Sequence, residues 1–187
     1  AILACRQTDR PIRPLLPKNW HSEIQLITTV LSADQENDPD ILSVIGASAA
    51  LTLSEIPFDG PVGAVNVGYI NGELVLNPKM AQLGESELDL VVVSTREKII
   101  MIEAGAKEVP EDIVMSAIRF GHEANQGIIQ MLEQLRQAAG KPKLAVPEAG
   151  LDAALVAKVG ELADARLETA LDQGDRARRE QLLEELR

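Results

Sequence analysis

Apolar and polar positions change period several times along the 187 residues, and each change marks an element. From Ile41 to Leu53 no side chain is charged. A run of that kind predicts a helix covered on nearly every face. Asp38 suits the N-cap, Pro39 suits the first helical position, and Pro57 blocks continuation. The small run Gly46-Ala47-Ser48-Ala49-Ala50 predicts close approach of neighbouring backbone. Such packing would offset the roughly 1 kcal/mol that a helical glycine costs against alanine. Before this helix, Glu23–Leu31 (EIQLITTVL) is rich in β-branched residues and apolar on both faces, which predicts a central strand.

After the helix, Val65-x-Val67-x-Tyr69 and Leu74-x-Leu76 alternate with period two around Asn71-Gly72, a type I′ hairpin signature. Leu88–Thr95 and Lys98–Glu103 predict a second pair of strands around Arg96-Glu97. Pro110 opens a long helix with Glu111 and Asp112 in its first turn. Ile113, Ala117, Ala124, Ile128, Met131 and Leu135 form its apolar stripe, and Gly140 followed by Pro142 ends it. The order predicts an α+β fold over residues 1–140, a two-layer sandwich of a mixed β-sheet with the helices on one face. KPKLAVPEAG then reads as a linker into an all-α segment within 141–187. There Leu151, Leu155, Val159, Leu162 and Arg166 mark a helix, Gly174 interrupts it, and Leu182, Leu183 and Leu186 resume the stripe. That stripe stops uncapped, so the chain reads as an interior piece of a longer protein.

The first twenty residues break the pattern. Pro11, Pro14 and Pro17 predict an extended path, which makes a helical reading of the spacing of Arg6, Arg10 and Arg13 unsafe. Charge sharpens the picture here. Residues 1–20 hold four basic side chains against Asp9 alone, residues 21–140 hold six against eighteen acidic ones, and the whole chain carries −11. An acidic body excludes nucleic-acid binding over the whole surface but leaves room for local phosphate contacts near the start. The arm is either a solvated basic linker or a phosphate-reading arm, since guanidinium forks suit phosphate oxygens.

Composition adds three limits. Aromatic residues are 2% of the chain, so the core is aliphatic and base-stacking platforms are excluded. Cys5 is the single cysteine, which rules out an intrachain disulfide and fits a reducing, cytoplasmic setting. No run approaches the ~18 apolar residues of a membrane-spanning helix, and no signal peptide is visible.

Candidate chemistry is sparse. His21 and His122 lack ligand spacing, Cys5 lacks a nucleophile's surroundings, and Gly60, Gly63 and Gly68 make no phosphate-loop pattern. A helix N-terminus attracts anions, yet Asp34, Glu36, Asp38 and Asp40 precede this one. The stretch is an acidic surface loop or a phosphate site that has been lost. Asp89, between Leu88 and Leu90, is a solvent-facing edge charge, a metal ligand or the remnant of one.

The strings RQTDRPIRPLLP, DQENDPDILSVIGASAALTLSEIPFDGPVGAVNVGYINGELVLNP, ELDLVVVSTREKIIMIEAGAKEVPED and GHEANQGII resemble the polynucleotide phosphorylase family. The resemblance covers residues 1–143 and is to the first of that family's two ribonuclease PH-like domains. Residues 144–187 match the start of its helical inter-domain segment by position more than by motif. It implies a phosphorolytic 3′-to-5′ exoribonuclease in RNA turnover, in which inorganic phosphate releases nucleoside diphosphates from RNA, reversibly. It further implies a homotrimeric ring threaded by single-stranded RNA, company among RNA-degradation proteins, and magnesium or manganese at the second core domain. Under the resemblance Arg6, Arg10 and Arg13 lie beside the RNA path. The family's phosphate loop corresponds to QENDPD here, and its two metal-site aspartates to Leu83 and Asp89. This half is therefore expected to be non-catalytic, to hold no metal, and to scaffold the ring and guide RNA. The alternative is a ring-forming RNA-binding subunit of an exosome-like assembly with no catalytic partner domain.

Overall fold

The computed structural model describes residues 2–146 and 152–186. The chain divides into two compact units, Ala1–Val146 and Pro147–Arg187. In the first, α1 (Ile2–Ile12) leads through a 3₁₀ turn at Arg13–Leu15 and a long non-regular stretch to α2 (Asp40–Leu53). Strands β1 (Gly63–Ile70) and β2 (Glu73–Leu76), the short α3 (Met80–Leu83), β3 (Leu88–Ser94), β4 (Ile99–Ala106) and α4 (Glu111–Ala139) follow. In the second, α5 (Ala153–Leu171) and α6 (Arg176–Glu184) form a helical pair.

The four strands form one sheet in the order β2-β1-β3-β4. The β1–β2 turn follows its sequence signature, with Asn71 and Gly72 both at positive φ. β4 runs three residues past its expected end, to Ala106, because Gly105 and Ala106 continue the ladder opposite Asp89 and Leu88. The α+β class with a following helical segment is as expected, but two details differ. Every described pair is antiparallel rather than mixed. Helices also cover both faces of the sheet. Val65, Val67, Leu88, Leu90 and Val92 pack on Ala117 of α4. Ala64, Val91, Val93 and Met101, of opposite strand parity, pack on Ile41 and Val44 of α2.

The expected strand Glu23–Leu31 is not one. It has no ladder partner among the described strands, and Ile27 and Leu31 stand 78% and 93% exposed. Its β-branched composition satisfies local propensity, but a strand is stabilised by its neighbour. Only Ile24 joins a core, beside Ile12, Ala47, Leu51 and Phe58.

The two long helices are placed by small residues. α2 begins one residue later than read: Pro39 is the N-cap, its carbonyl accepting the Ser43 N–H, and Asp38 just before it accepts the Asp40 N–H at 2.9 Å through Oδ1. It is not covered all round, for Leu42 is 67% exposed and Gly46 meets no neighbouring element. The close contact falls at buried Ser48, whose Oγ accepts the Val62 N–H at 2.9 Å. α4 buries Ala117, Gly121, Asn125, Ile129 and Leu132, a stripe rotated from the expected one, while Met131 and Leu135 are exposed. A Cβ on Gly121 would lie 2.8 Å from Val92 Cγ2, so only glycine lets the helix sit this close to β3. Buried Asn125 donates to the Val92 carbonyl and to Ser94 Oγ.

Residues 141–146, expected to begin the linker, fold back onto the first unit. Lys141 N–H and Leu144 N–H donate to the carbonyls of Leu53 and Glu55. Lys143 Nζ donates to the carbonyls of Leu51, Thr52 and Ser54 at 2.7–3.1 Å, filling acceptors that a helix end leaves open. In the second unit Asp152 caps α5, and Gly174 lies between the helices as expected. Leu151 lies outside the described residues.

Candidate nucleic-acid interface and acidic cleft

The basic arm is helical, not extended. Pro11 stands one residue from the end of α1, where its missing N–H costs a single hydrogen bond, and Pro14 sits in the first positions of the 3₁₀ turn, which tolerate it. Burial of Thr8, Pro11 and Ile12 outweighs the remaining penalty. Thr8 Oγ1 also meets Ser43 Oγ of α2 at 3.2 Å. Because the arm is a helix, the interval of four sets Arg6 and Arg10 about 40° apart on α1, and Arg13 follows as the first residue of the 3₁₀ turn. All three are exposed. Arg10 Nη1 donates to Glu103 Oε2 of β4 at 2.8 Å, and Arg13 pairs with both oxygens of Asp9. Among the described residues Arg6 has no carboxylate partner.

The acidic loop before α2 is tightly self-bonded. Asp34 Oδ1 accepts the N–H groups of Glu36 and Asn37, each at 2.9 Å, and Asp34 Oδ2 accepts Asn37 Nδ2. These bonds, the Asn37 N–H foremost and the Glu36 N–H next, hold the Asp34 carboxyl down at about 2. Burial, then the charge of Asp38, pushes Asp40 upward. Glu36 ties the loop to the rest of the unit through Lys79 Nζ and through its carbonyl, which accepts the Met80 N–H. A cleft of about 480 Å³ beside the loop is lined by Asp34, Asn37, Asp38, Asn66 and Asn77. Its polar lining is carboxylate and amide with the one hydroxyl of Ser32, and Lys79, the nearby cation, is spoken for by Glu36.

Asp89 is exposed on the face of the sheet that carries α2. Its Oδ1 accepts Asn66 Nδ2 at 2.8 Å, so one of its two oxygens is engaged by an amide. Leu83 ends α3 and offers no donor. No group of three or more His, Cys, Asp or Glu among the described residues is arranged to hold a metal ion.

Sequence reading missed Asn66, Asp9 and Glu103. Asn66 could have been found by strand parity: it shares a sheet face with Asp89 once β1 and β3 are paired. Asp9 sits four residues before Arg13, a helical pairing that the extended reading hid. Glu103 carried no local signal, since its partner lies 93 residues away.

The loop geometry carries a measurable consequence. A carboxyl ¹³C titration is expected to place Asp34 at about 2 against an ordinary 3.8. Because the folded value is the lower, these bonds favour the folded loop above 3.8 and lose that effect as pH falls through about 2. A midpoint at or above 3.8 would show that the bonds do not form.

Residues 1–57 match the 3′ exoribonuclease family, domain 1, and residues 60–124 match the 3′ exoribonuclease family, domain 2. Polyribonucleotide nucleotidyltransferase of Dehalococcoides mccartyi is 53% identical over 186 residues, 100% of this chain and 26% of that protein. The chain belongs to the 3′ exoribonuclease family. The relative of the same name from Thermomicrobium roseum is 56% identical over 143 residues, 76% of this chain and 18% of that protein. The chain thus spans about a quarter or less of the length of these exoribonuclease-family relatives. Among solved structures, rice (Oryza sativa) Rrp46 is similar at 19% identity and a TM-score of 0.49, over 54% of this chain and 49% of that one. The two family matches meet between α2 and β1, so α1 and α2 belong to the first and the sheet with the first half of α4 to the second.

Proposed function

We propose that this chain is the non-catalytic ribonuclease PH-like portion, with the start of the helical segment, of a polyribonucleotide nucleotidyltransferase. The full protein degrades single-stranded RNA from its 3′ end by phosphorolysis in the cytoplasm and reverses the reaction when nucleoside diphosphates are abundant. It works as a homotrimer alongside other RNA-degradation proteins. Magnesium or manganese acts at the second core domain, where it would stabilise charge developing on the transferred phosphoryl group. Residues 1–140 scaffold the ring and guide RNA along the stripe of Arg6, Arg10 and Arg13, and residues 141–187 lead into the inter-domain helices.

One observation carries the non-catalytic assignment. At the N-terminus of α2, where inorganic phosphate would be received, the cleft is lined by carboxylates, amides and the Ser32 hydroxyl with no Lys or Arg, and Asp89 holds an amide. Anions are bound where backbone N–H groups and cations converge, and here Asp38 and Asp40 already occupy the positive end of the helix dipole. The chain alone, incubated with poly(A), inorganic phosphate and magnesium, is expected to release no nucleoside diphosphate, while the full-length protein does. In the full-length protein Asp89→Asn is expected to leave that release nearly unchanged. Nucleoside diphosphate from the pure chain, or a severe loss in the Asp89 variant, would overturn the assignment.

A further inference from the structure

Two of the three arginines of the α1 stripe are already occupied by carboxylates. Arg13 sets Nε and Nη2 on the two oxygens of Asp9, the fork-on-fork arrangement that a phosphate accepts equally well. Arg10 reaches across to the sheet and bonds Glu103 by Nη1 alone, leaving its other donors open. Neither pair is placed to serve stability. The side chains are 46% and 53% exposed in Arg10–Glu103, and 75% and 49% in Arg13–Asp9, and ion pairs this open to water contribute little to folding. Glu103 also stands at a border: it lines one cleft together with Asp38, Asp40 and Asp89, while its carboxylate is turned to the basic stripe. The stripe therefore presents about one net positive charge from three guanidinium groups.

We propose that Asp9 and Glu103 are placeholders for RNA phosphates, holding Arg13 and Arg10 extended and neutralised until RNA displaces them. This rests on the reading of the stripe as an RNA guide. The exchange has a thermodynamic signature. Each arginine–phosphate contact releases counterions from the RNA, and that release sets the slope of affinity against salt. A carboxylate freed in the same step draws a cation back from solution and cancels part of the slope. The placeholders thus make the stripe a weak, exchangeable contact that a moving strand can leave, and they guard it against permanent occupation by other polyanions.

The test uses the full-length protein and a fluorescent oligoadenylate in phosphate-free buffer without divalent ions, with affinity measured from about 50 to 200 mM KCl. Asp9→Asn and Glu103→Gln keep the size of each side chain and remove its charge. Each is expected to tighten binding by about two- to fivefold at the low-salt end, from the energy scale of exposed pairs. Each should also steepen the slope of log affinity against log salt, by up to about one unit. Glu103→Asp, which keeps the charge, is expected to return the slope toward that of the unaltered protein. Loss of packing alone would not move the slope in this way. If Arg6, Arg10 and Arg13 changed together to alanine weaken binding while the two carboxylate variants leave affinity and slope unaltered, the placeholder role is wrong and the RNA guide stands. Weaker binding in the carboxylate variants overturns it as well, since they would then be orienting the arginines. If the triple alanine variant itself binds RNA as before, the guide reading falls and the placeholder role falls with it.

Discussion

Gly121→Leu is expected to lower the stability of the first unit by about 3 kcal/mol or more, at the upper end of what overpacking costs. The added Cβ alone would sit 2.8 Å from Val92 Cγ2, 2.9 Å from Val92 Cβ and 3.2 Å from Val67 Cγ2. Val92 and Val67 are fully buried in adjacent strands, so neither has anywhere to retreat. The helix would have to lift from the sheet, and that would separate Ala117 and Ile129 from their neighbours on either side. Denaturant unfolding followed by circular dichroism measures the loss as a fall in midpoint. A midpoint within error of the parent would mean that α4 does not approach the sheet through Gly121.

Ile12→Ala is expected to cost about 2–4 kcal/mol, the range for an isoleucine truncated in a core. Ile12 is 3% exposed and joins Ala47, Leu51 and Phe58, the cluster that seats α1 on the rest of the unit. α1 has little stability of its own: eleven residues is short for an isolated helix, and Pro11 interrupts its hydrogen bonding. Hydrogen exchange should therefore show α1 losing protection before the sheet does. In the full-length protein, RNA affinity should fall with it, because Arg6, Arg10 and Arg13 share a surface only while the helix is formed. Unchanged protection of the α1 amides would argue that the helix is held by something other than this cluster.

The contrast between these two sites shows what could be read from the chain and what could not. Asn71-Gly72 and the alternating Val65–Tyr69 gave the hairpin, since two residues at positive φ nearly dictate the turn. Asp38-Pro39 gave the start of α2 to within one residue for a similarly local reason. Gly121 and Asn125 were invisible, because a count of apolar residues skips a glycine and an asparagine, yet these two set the distance and the register of α4 on the sheet. Glu23–Leu31 was misread in the opposite sense: its composition is that of a strand, but pairing is a property of two segments. The prolines of the arm were given more weight than they carry, since two of the three fall where a helix or a 3₁₀ turn tolerates them. The arginine stripe was legible as a spacing, and its meaning depended on a helix that tertiary burial, not local propensity, supplies. The sequence leaves the acidic loop open between a surface loop and a lost phosphate site, and Asp89 between an edge charge and a metal ligand or its remnant. What answers Asp89, the amide of Asn66, came only with the strand register.

α2 has both of its ends electrically matched. Asp38 and Asp40 stand at the positive end, and the ammonium of Lys143 closes three carbonyls at the negative end. A helix whose task is to receive phosphate has to leave its first turn bare, and it is less stable empty than full. α2 carries its own counter-charges, so its stability does not depend on an anion bound at its first turn.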